Sequence, residues 1–224
     1  MPVKPVQKIT AWSFSRWKDY EQCPLKAKFK HVDKIKEPGS AAMDRGSEIH
    51  KLAEDYAMGK LAELPQELAC FGEEFEILRD RKPSCELEWA FDNEWHPTTW
   101  FAPKAWCRIK VDACLSAVGE PTKLIVIDHK TGKVNPDHKD QLGLYALGAF
   151  NMLDYLQTVD ARLWYLDQGE EGGEVFERGD VPELTRTWAR RTKAMLSDTK
   201  FLPTPSNKCR WCFFSKEKGG ACQY

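Results

Sequence analysis

The chain has 224 residues and a formal net charge of −1, with 42% hydrophobic and 30% charged residues. These values predict a single globular domain, and they exclude both a disordered chain and a protein that coats nucleic acid by bulk positive charge. No apolar run is long enough to span a bilayer and no signal core opens the chain, so we expect a cytoplasmic protein, free of membranes, in a prokaryotic or phage-infected cell.

The first third of the sequence is predicted to be helical. Residues 13–31 form an N-terminal helical segment that begins at the N-cap Ser13 and is interrupted at Pro24. Further helices are expected at 41–59 and 65–81.

The middle of the sequence changes to strand periodicity. Alternating or apolar runs predict strands at 85–92, 105–118, 123–132, 161–167 and 173–179, the last two joined by the Gly-rich QGEEGGE. A helix at 136–157 separates the third and fourth of these strands, and a helix at 181–196 follows the last. This order predicts an α/β fold with a mixed central sheet flanked by helices. We expect one domain over 1–224, with its core at 41–181 and a cysteine-rich tail at 200–224.

Two short motifs point to chemistry at the strand ends. In VIDHKTG, Asp128 and Lys130 are two apart on a strand, so their side chains share a face. Taken alone, this pair is more often a plain ion pair. Asp112 in RIKVDAC lies on the preceding strand, and the hairpin between them can bring Asp112 beside Asp128. Converging carboxylates are most simply explained by a shared divalent cation, with Lys130 polarising a water or a phosphate.

Two helical motifs add weaker signals. RGSEIHKLAE places His50 on a helix, and DQLGLYALG places Gln141 and Tyr145 one turn apart on one helical face. A lone histidine on a helix is more often a surface or satisfied histidine than a ligand. A glutamine one turn from a tyrosine is common on helix surfaces. The complete series of these three residues with Asp112, Asp128 and Lys130 is much less likely to arise by chance than any one of its parts.

The cysteines form a separate pattern. The chain has eight cysteines, and CRWC followed by Cys222 places three of them in the tail. Clustered thiols in a reducing compartment suggest metal or redox chemistry rather than disulfides. A closed metal site needs four ligands, and the tail supplies three. The pattern is compatible with a zinc site, an iron–sulfur site or a redox pair. The candidates for the fourth ligand are Cys23, Cys70, Cys85, Cys107 and Cys114.

Taken together, SFSRWKDYEQCPLKAKF, GSEIH, KVDAC, IDHKTG and QLGLYALG resemble the PD-(D/E)XK nucleases, specifically their RecB-like branch. This branch includes helicase-linked, CRISPR-associated and phage exonucleases, and the resemblance covers nearly the whole chain. It implies the restriction-endonuclease-like fold and a Mg²⁺- or Mn²⁺-dependent deoxyribonuclease.

The resemblance also implies roles for individual residues. Asp112, Asp128 and His50 would ligate the metal, together with the main-chain carbonyl of His129. Lys130 would position or activate the attacking water. The remaining two catalytic residues, Gln141 and Tyr145, would orient the lysine, the metal site or the DNA backbone.

One subgroup of these nucleases holds a [4Fe–4S] cluster on one N-terminal and three C-terminal cysteines. The resemblance therefore implies cluster ligands at Cys23, Cys209, Cys212 and Cys222, joining the two ends of the chain, with Zn²⁺ as the alternative metal. The interval between Cys212 and Cys222 is longer than in that subgroup.

The leading hypothesis is a DNA exonuclease that acts in recombination, repair or degradation, on single- or double-stranded DNA, as a homo-oligomer or with a helicase or recombination partner. The alternatives are a CRISPR-adaptation-type or endonucleolytic relative, and a non-catalytic iron–sulfur protein that binds nucleic acid. A zinc-stapled protein without nuclease activity would leave the central series unexplained.

Overall fold

The computed structural model describes residues 8–224, apart from the side chain at position 137. It divides into two compact units, one formed by Gly39–Thr185 and the other by Met1–Pro38 with Arg186–Tyr224. The helices are α1 (Phe14–Gln22), α2 (Pro24–Ala27), α3 (Ala41–Ala57), α4 (Gly72–Asp80), α5 (Lys139–Met152) and α6 (Val181–Ser197). Across the described residues no helix is long and apolar enough to cross a membrane.

The larger unit is built on one six-stranded sheet. Its strands are β1 (Ser84–Phe91), β2 (Pro97–Thr98), β3 (Cys107–Ala117), β4 (Glu120–Lys130), β5 (Thr158–Tyr165) and β6 (Glu170–Glu177). They lie in the order β2-β1-β3-β4-β5-β6, and only β4 and β5 run parallel. A parallel pair needs a crossover, and α5 supplies it. The predicted mixed α/β sheet flanked by helices is therefore confirmed.

The helices of this unit bury their apolar stripes against the sheet. Ile49 and Ala53 of α3 and Phe75 of α4 are almost fully buried, and they share one core cluster with Ala113 and Ile127 from the two central strands. This packing fixes the α3 face that carries His50, since one stripe of that helix is held against the sheet.

Helix α5 approaches the sheet so closely that it requires a glycine. A methyl group at Gly148 would lie 2.6 Å from Ile109 Cδ1 and 3.2 Å from the Trp89 ring. Nearly every residue of α5 from Leu142 to Phe150 is buried, in keeping with a helix that is apolar around most of its circumference. The polar side chains that α5 buries therefore need partners within the unit.

Several element boundaries differ from the prediction. The helix expected at 136–157 ends at Met152, where Leu153 becomes extended and the Arg178 guanidinium donates a 2.9 Å hydrogen bond to the Leu153 carbonyl. That cap comes from the far end of the next hairpin, so local sequence does not reveal it. The helix expected at 65–81 is a 3₁₀ turn (Gln66–Phe71) followed by α4, and the two-residue strand β2 was missed.

The Gly-rich segment is not the turn that we expected between the last two strands. β6 begins at Glu170, so Gly172 and Gly173 lie within it. A Cβ at Gly173 would approach the Ala161 carbonyl oxygen to 3.0 Å, so these glycines permit close strand pairing at the sheet edge.

The smaller unit contains the two ends of the chain. Its core stacks Trp12 on Trp188 with ring centroids 5.4 Å apart, and Trp17 meets Trp188 edge-on at 5.2 Å. Phe29 contacts Phe214 of the tail at 5.3 Å. Aromatic packing thus joins the N-terminal helical segment to the C-terminal segment without any disulfide between described cysteines.

Candidate metal centre and cysteine pocket

The ends of β3 and β4 position the two predicted carboxylates. These strands pair antiparallel through Ala113↔Ile127 and Cys114↔Val126, which puts Asp112 next to Asp128 at the same end of the hairpin. The side chain of Asp128 is 5% exposed and that of Asp112 is 12% exposed. Two carboxylates that are both this deeply buried need compensating donors or a cation.

Asp128 is held by a ring of polar side chains from β4 and α5. Its Oδ2 lies 2.5 Å from Lys130 Nζ, and its Oδ1 accepts a hydrogen bond from the Tyr145 hydroxyl. Lys130 Nζ donates to Gln141 Oε1 at 2.9 Å, and Gln141 Nε2 donates to Tyr145 Oη at 2.6 Å. The four side chains form a closed circuit, so the orientation of Lys130 depends on the other three.

Asp112 faces a different set of partners. His50 Nδ1 on α3 lies 3.4 Å from Asp112 Oδ2, and the backbone N–H of His129 donates to that same oxygen at 2.8 Å. The imidazole of His129 is buried between Phe75 and Trp164, and its centroid is 6.1 Å from that of His50. One ring nitrogen from each histidine and one Asp112 oxygen lie within 4.8 Å of one another.

The environment separates the pKa values of the two carboxyl groups. Burial raises the pKa of Asp128, and repulsion from Asp112 adds to this against the pull of Lys130. Burial also opposes ionisation of Asp112, but His50 and His129 outweigh it and its pKa is lowered. Two neighbouring carboxyl groups, one with a raised pKa and one with a lowered pKa, are typical of a site that binds positive charge.

The neighbouring groups also have shifted pKa values. Burial lowers the pKa of His129 to about 4, so its imidazole is neutral at neutral pH. Burial and the Asp128 carboxylate raise the pKa of Tyr145 well above its usual range, so the hydroxyl stays protonated and donates. The pKa of His50 is raised because Asp112 outweighs the effect of burial.

A groove leads to Asp112 from the surface. It has a volume of about 740 Å³, and Asp112 and His50 lie in its wall. Its other lining residues are Ala42, Met43, Gly46, Ser47, Lys51, Glu54, Glu86, Lys110 and Thr131. The side chains of Glu54 and Glu86 are engaged by lysines there, so neither carboxylate adds to the Asp112 centre.

A sequence profile described as the PD-(D/E)XK nuclease superfamily matches residues 11–109 and 108–216, which is most of the chain. The chain belongs to the PD-(D/E)XK nuclease superfamily.

One solved structure shares the fold of this chain, and a second is more distantly similar. A protein from Eubacterium rectale named “Putative exonuclease” is 14% identical, with a TM-score of 0.50, and the match covers 91% of this chain and 87% of that one. The structure of SSO0001 is 18% identical with a TM-score of 0.41, covering 94% and 87% respectively. No curated protein matches the chain. At these identities the likeness concerns the fold alone.

The structure brings together all six residues that the sequence pointed to for the nuclease centre: His50, Asp112, Asp128, Lys130, Gln141 and Tyr145. Sequence reasoning missed the His129 side chain and considered only its carbonyl. The signal was available, since side chains alternate along a strand and the His129 ring must therefore leave β4 on the face opposite to Asp128, where it contacts Phe75 and Trp164.

Gln141→Ala tests whether the polar circuit orients Lys130. Without the amide, Lys130 loses its 2.9 Å acceptor and Tyr145 loses a donor. We expect the turnover rate for nucleic-acid cleavage to fall about 10- to 100-fold, the usual cost of losing an orienting partner, while the fold is retained. Gln168→Ala, at an exposed turn, is the control. Equal rates for both variants would show that Lys130 needs no such support.

The four cysteines predicted as cluster ligands line a single pocket within the smaller unit. Cys23 is extended, with φ −166° and ψ 116°, and separates α1 from α2, because the residue before a proline avoids helical geometry. In the tail, Cys222 N donates to the Phe214 carbonyl at 2.8 Å, which folds the long interval after Cys212 back on itself. The extra residues between Cys212 and Cys222 therefore form a closed loop, and Cys222 stays at the pocket with the other three cysteines.

Two of these sulfurs accept backbone hydrogen bonds. Thr204 N lies 3.4 Å from Cys23 Sγ, and Ser206 N lies 3.4 Å from Cys209 Sγ. The other four cysteines, Cys70, Cys85, Cys107 and Cys114, lie in the larger unit, as expected for structural residues.

Gly220→Ala tests the geometry of the tail loop. A Cβ at this position would overlap the backbone atoms of Phe214, which cannot rotate away as a side chain would. We expect the unfolding free energy to fall by about 1–3 kcal/mol and metal retention at the cysteines to weaken. Gly179→Ala, where a Cβ meets nothing within 4 Å, is the control in chemical denaturation. A Gly220 variant as stable as the control would contradict this loop geometry.

Proposed function

We propose that this nuclease is a metal-dependent DNA exonuclease of the RecB-like branch. The observation that carries the proposal is the meeting of Asp112 and Asp128 at one end of the β3–β4 hairpin, with His50 against the first and Lys130 against the second. Within the larger unit this arrangement provides acidic ligands, an imidazole and an ammonium group at one point.

The residues fit a divalent cation. Oxygen-rich ligands suit Mg²⁺ and Mn²⁺, and a cation would offset the burial and the repulsion from Asp112 that raise the pKa of Asp128. Bound there, it would supply Lewis-acid stabilisation of the phosphate and lower the pKa of a bound water. Asp112, Asp128 and His50 are its proposed ligands, together with the carbonyl oxygen of His129.

The remaining side chains position the reacting groups. The Lys130 ammonium, held by Gln141, lies where it can orient the attacking water and offset charge that develops on a phosphate oxygen. Tyr145 keeps one oxygen of Asp128 occupied, which aims the other oxygen toward Lys130. Together they hold the centre in one geometry before the substrate arrives, which is the source of most rate enhancement of this kind.

The choice of DNA and of exonucleolytic action rests on the resemblance to the RecB-like branch. Its support in this chain is His50 on α3 and the pair formed by Gln141 and Tyr145 on α5, all of which contact the motif residues. The groove beside Asp112 is open to solvent, and Lys51 and Lys110 line it in ion pairs with Glu54 and Glu86.

The test compares linear DNA, with protected or unprotected ends, with covalently closed circular DNA in the presence of Mg²⁺ or Mn²⁺. An exonuclease degrades linear substrates progressively from their ends and leaves closed circles intact. Relaxation or linearisation of the circles would replace the exonuclease proposal with an endonuclease. No cleavage of either substrate would remove the nuclease proposal.

We further propose a [4Fe–4S] cluster on Cys23, Cys209, Cys212 and Cys222. Around one zinc ion, thiolate sulfurs are about 3.8 Å apart, since Zn–S bonds are about 2.3 Å and tetrahedral. Among described residues no three cysteine sulfurs lie within 4.8 Å of one another. A cluster binds each thiolate through a separate iron, and the support for it is that all four cysteines line one pocket within the smaller unit.

Some predictions from the sequence have no further support in the structure. These are a phage source, a role in recombination or repair, a cytoplasmic location, and an oligomer or helicase partner. They stay predictions.

A further inference from the structure

The His129 side chain has no role in the function proposed above. The residue is 3% exposed, and its Nε2 is fully buried without a hydrogen-bond partner among the residues that the structure describes. A buried imidazole nitrogen without a partner costs stability, so its retention calls for an explanation. The aromatic neighbours Phe75 and Trp164 supply no acceptor or donor for it at their ring faces.

We propose that the His129 imidazole is a metal ligand, completing a set of two histidines and one carboxylate with His50 and Asp112. These three residues form the only group of three or more His, Cys, Asp or Glu side chains in residues 8–224 whose ligand atoms lie within 4.8 Å of one another, position 137 aside. The spacing is within a small side-chain adjustment of a coordination sphere with bonds near 2.1 Å.

The backbone supports this arrangement. Asp128 and His129 are consecutive on β4, so their side chains leave the strand on opposite faces. Asp128 turns toward Tyr145, whereas His129 turns toward Phe75 and the His50 ring. Asp112 lies beside Asp128 across the β3–β4 pair, and its Oδ2 lies 3.4 Å from His50 Nδ1, so the His129 ring adds a ligand to the same centre.

The ligand set also indicates which cation the position takes. Imidazole nitrogen suits transition metals, whereas Mg²⁺ binds almost only oxygen. The chemistry of two histidines and one aspartate therefore favours Mn²⁺ over Mg²⁺ at this position. The inference rests on the proposed metal-dependent nuclease function and deepens it.

Pulsed electron paramagnetic resonance of bound Mn²⁺ tests the inference without any substrate. The full-length protein is labelled with ¹⁵N only in histidine, treated with chelator, and loaded with Mn²⁺. We expect two coupled ¹⁵N nuclei in the wild type. His129→Phe, which keeps an aromatic ring between Phe75 and Trp164, should show one and bind Mn²⁺ at least about tenfold more weakly.

The control is His96→Phe, whose side chain is 66% exposed and which should behave as the wild type. One coupled nitrogen in the wild type, or an unchanged count in a folded His129→Phe, would overturn the inference and leave the nuclease proposal standing. If His129→Phe does not fold, the wild-type count alone decides. A wild type that binds no Mn²⁺ or Mg²⁺ would overturn both the inference and the proposed metal dependence.

Discussion

Replacing Lys130 with alanine is expected to lower the single-turnover rate of DNA cleavage by about 10²- to 10⁴-fold, the usual range for removing a positioned proton-transfer or charge-stabilising group. Lys130 Nζ lies 2.5 Å from Asp128 Oδ2 and donates to Gln141, so its loss leaves a buried carboxylate without its cation. The defect should lie mainly in turnover, because the lysine acts on the reacting groups rather than on the bulk of the DNA.

Lys123→Ala is the matched control for this experiment. Lys123 lies near the start of the same strand, and its nearest acidic partner, Glu120, is 3.8 Å away. It should cleave DNA at the wild-type rate. Circular dichroism of both variants separates a chemical defect from unfolding, and a Lys130→Ala protein that is folded and fully active would refute the proposed role of the lysine.

Cys209→Ser is expected to have the largest effect on stability. The serine hydroxyl is a poor ligand for iron, so the anaerobically purified variant should lose the broad visible absorption that a [4Fe–4S] cluster gives the wild type. Metal ligation contributes to folding free energy, and a loss of roughly 3 kcal/mol would lower the melting temperature by about 6–12 °C in a chain of this size.

The control for the cysteine variant is Cys70→Ser, because Cys70 is exposed and lies outside the pocket. It should keep both the absorption and the melting temperature. A colourless wild type that holds one zinc ion per chain would overturn the cluster and favour the zinc alternative. Stability equal to that of the control would show that these cysteines bind no structural metal at all.

The sheet was predictable because its signals are local. Strand alternation, the apolar run before Asp128 and the short β3–β4 turn follow from neighbouring residues, as does the helical break at Pro24. The end of α5 was not predictable, since Arg178 caps it across a long sequence separation. Boundaries that depend on such distant donors are invisible to periodicity.

The candidate site was only partly accessible from sequence. Spacing alone suggested that Asp112 and Asp128 converge, but the residue types did not reveal that Tyr145 binds Asp128 or that Gln141 bridges to Lys130. Those contacts depend on how closely α5 packs, which Gly148 permits. The His129 ring was overlooked because it lies on the face of β4 opposite to Asp128 and Lys130.

The most direct test of the account is the cleavage rate of linear DNA as Mn²⁺ is added to chelator-treated wild type and to Asp112→Asn. Asp112 links both sides of the centre, so the account predicts saturable Mn²⁺-dependent cleavage in the wild type and none above background in the variant. Asp154→Asn, an exposed substitution, should match the wild type. Cleavage that needs no divalent cation, or that survives in a folded Asp112→Asn, would contradict the account.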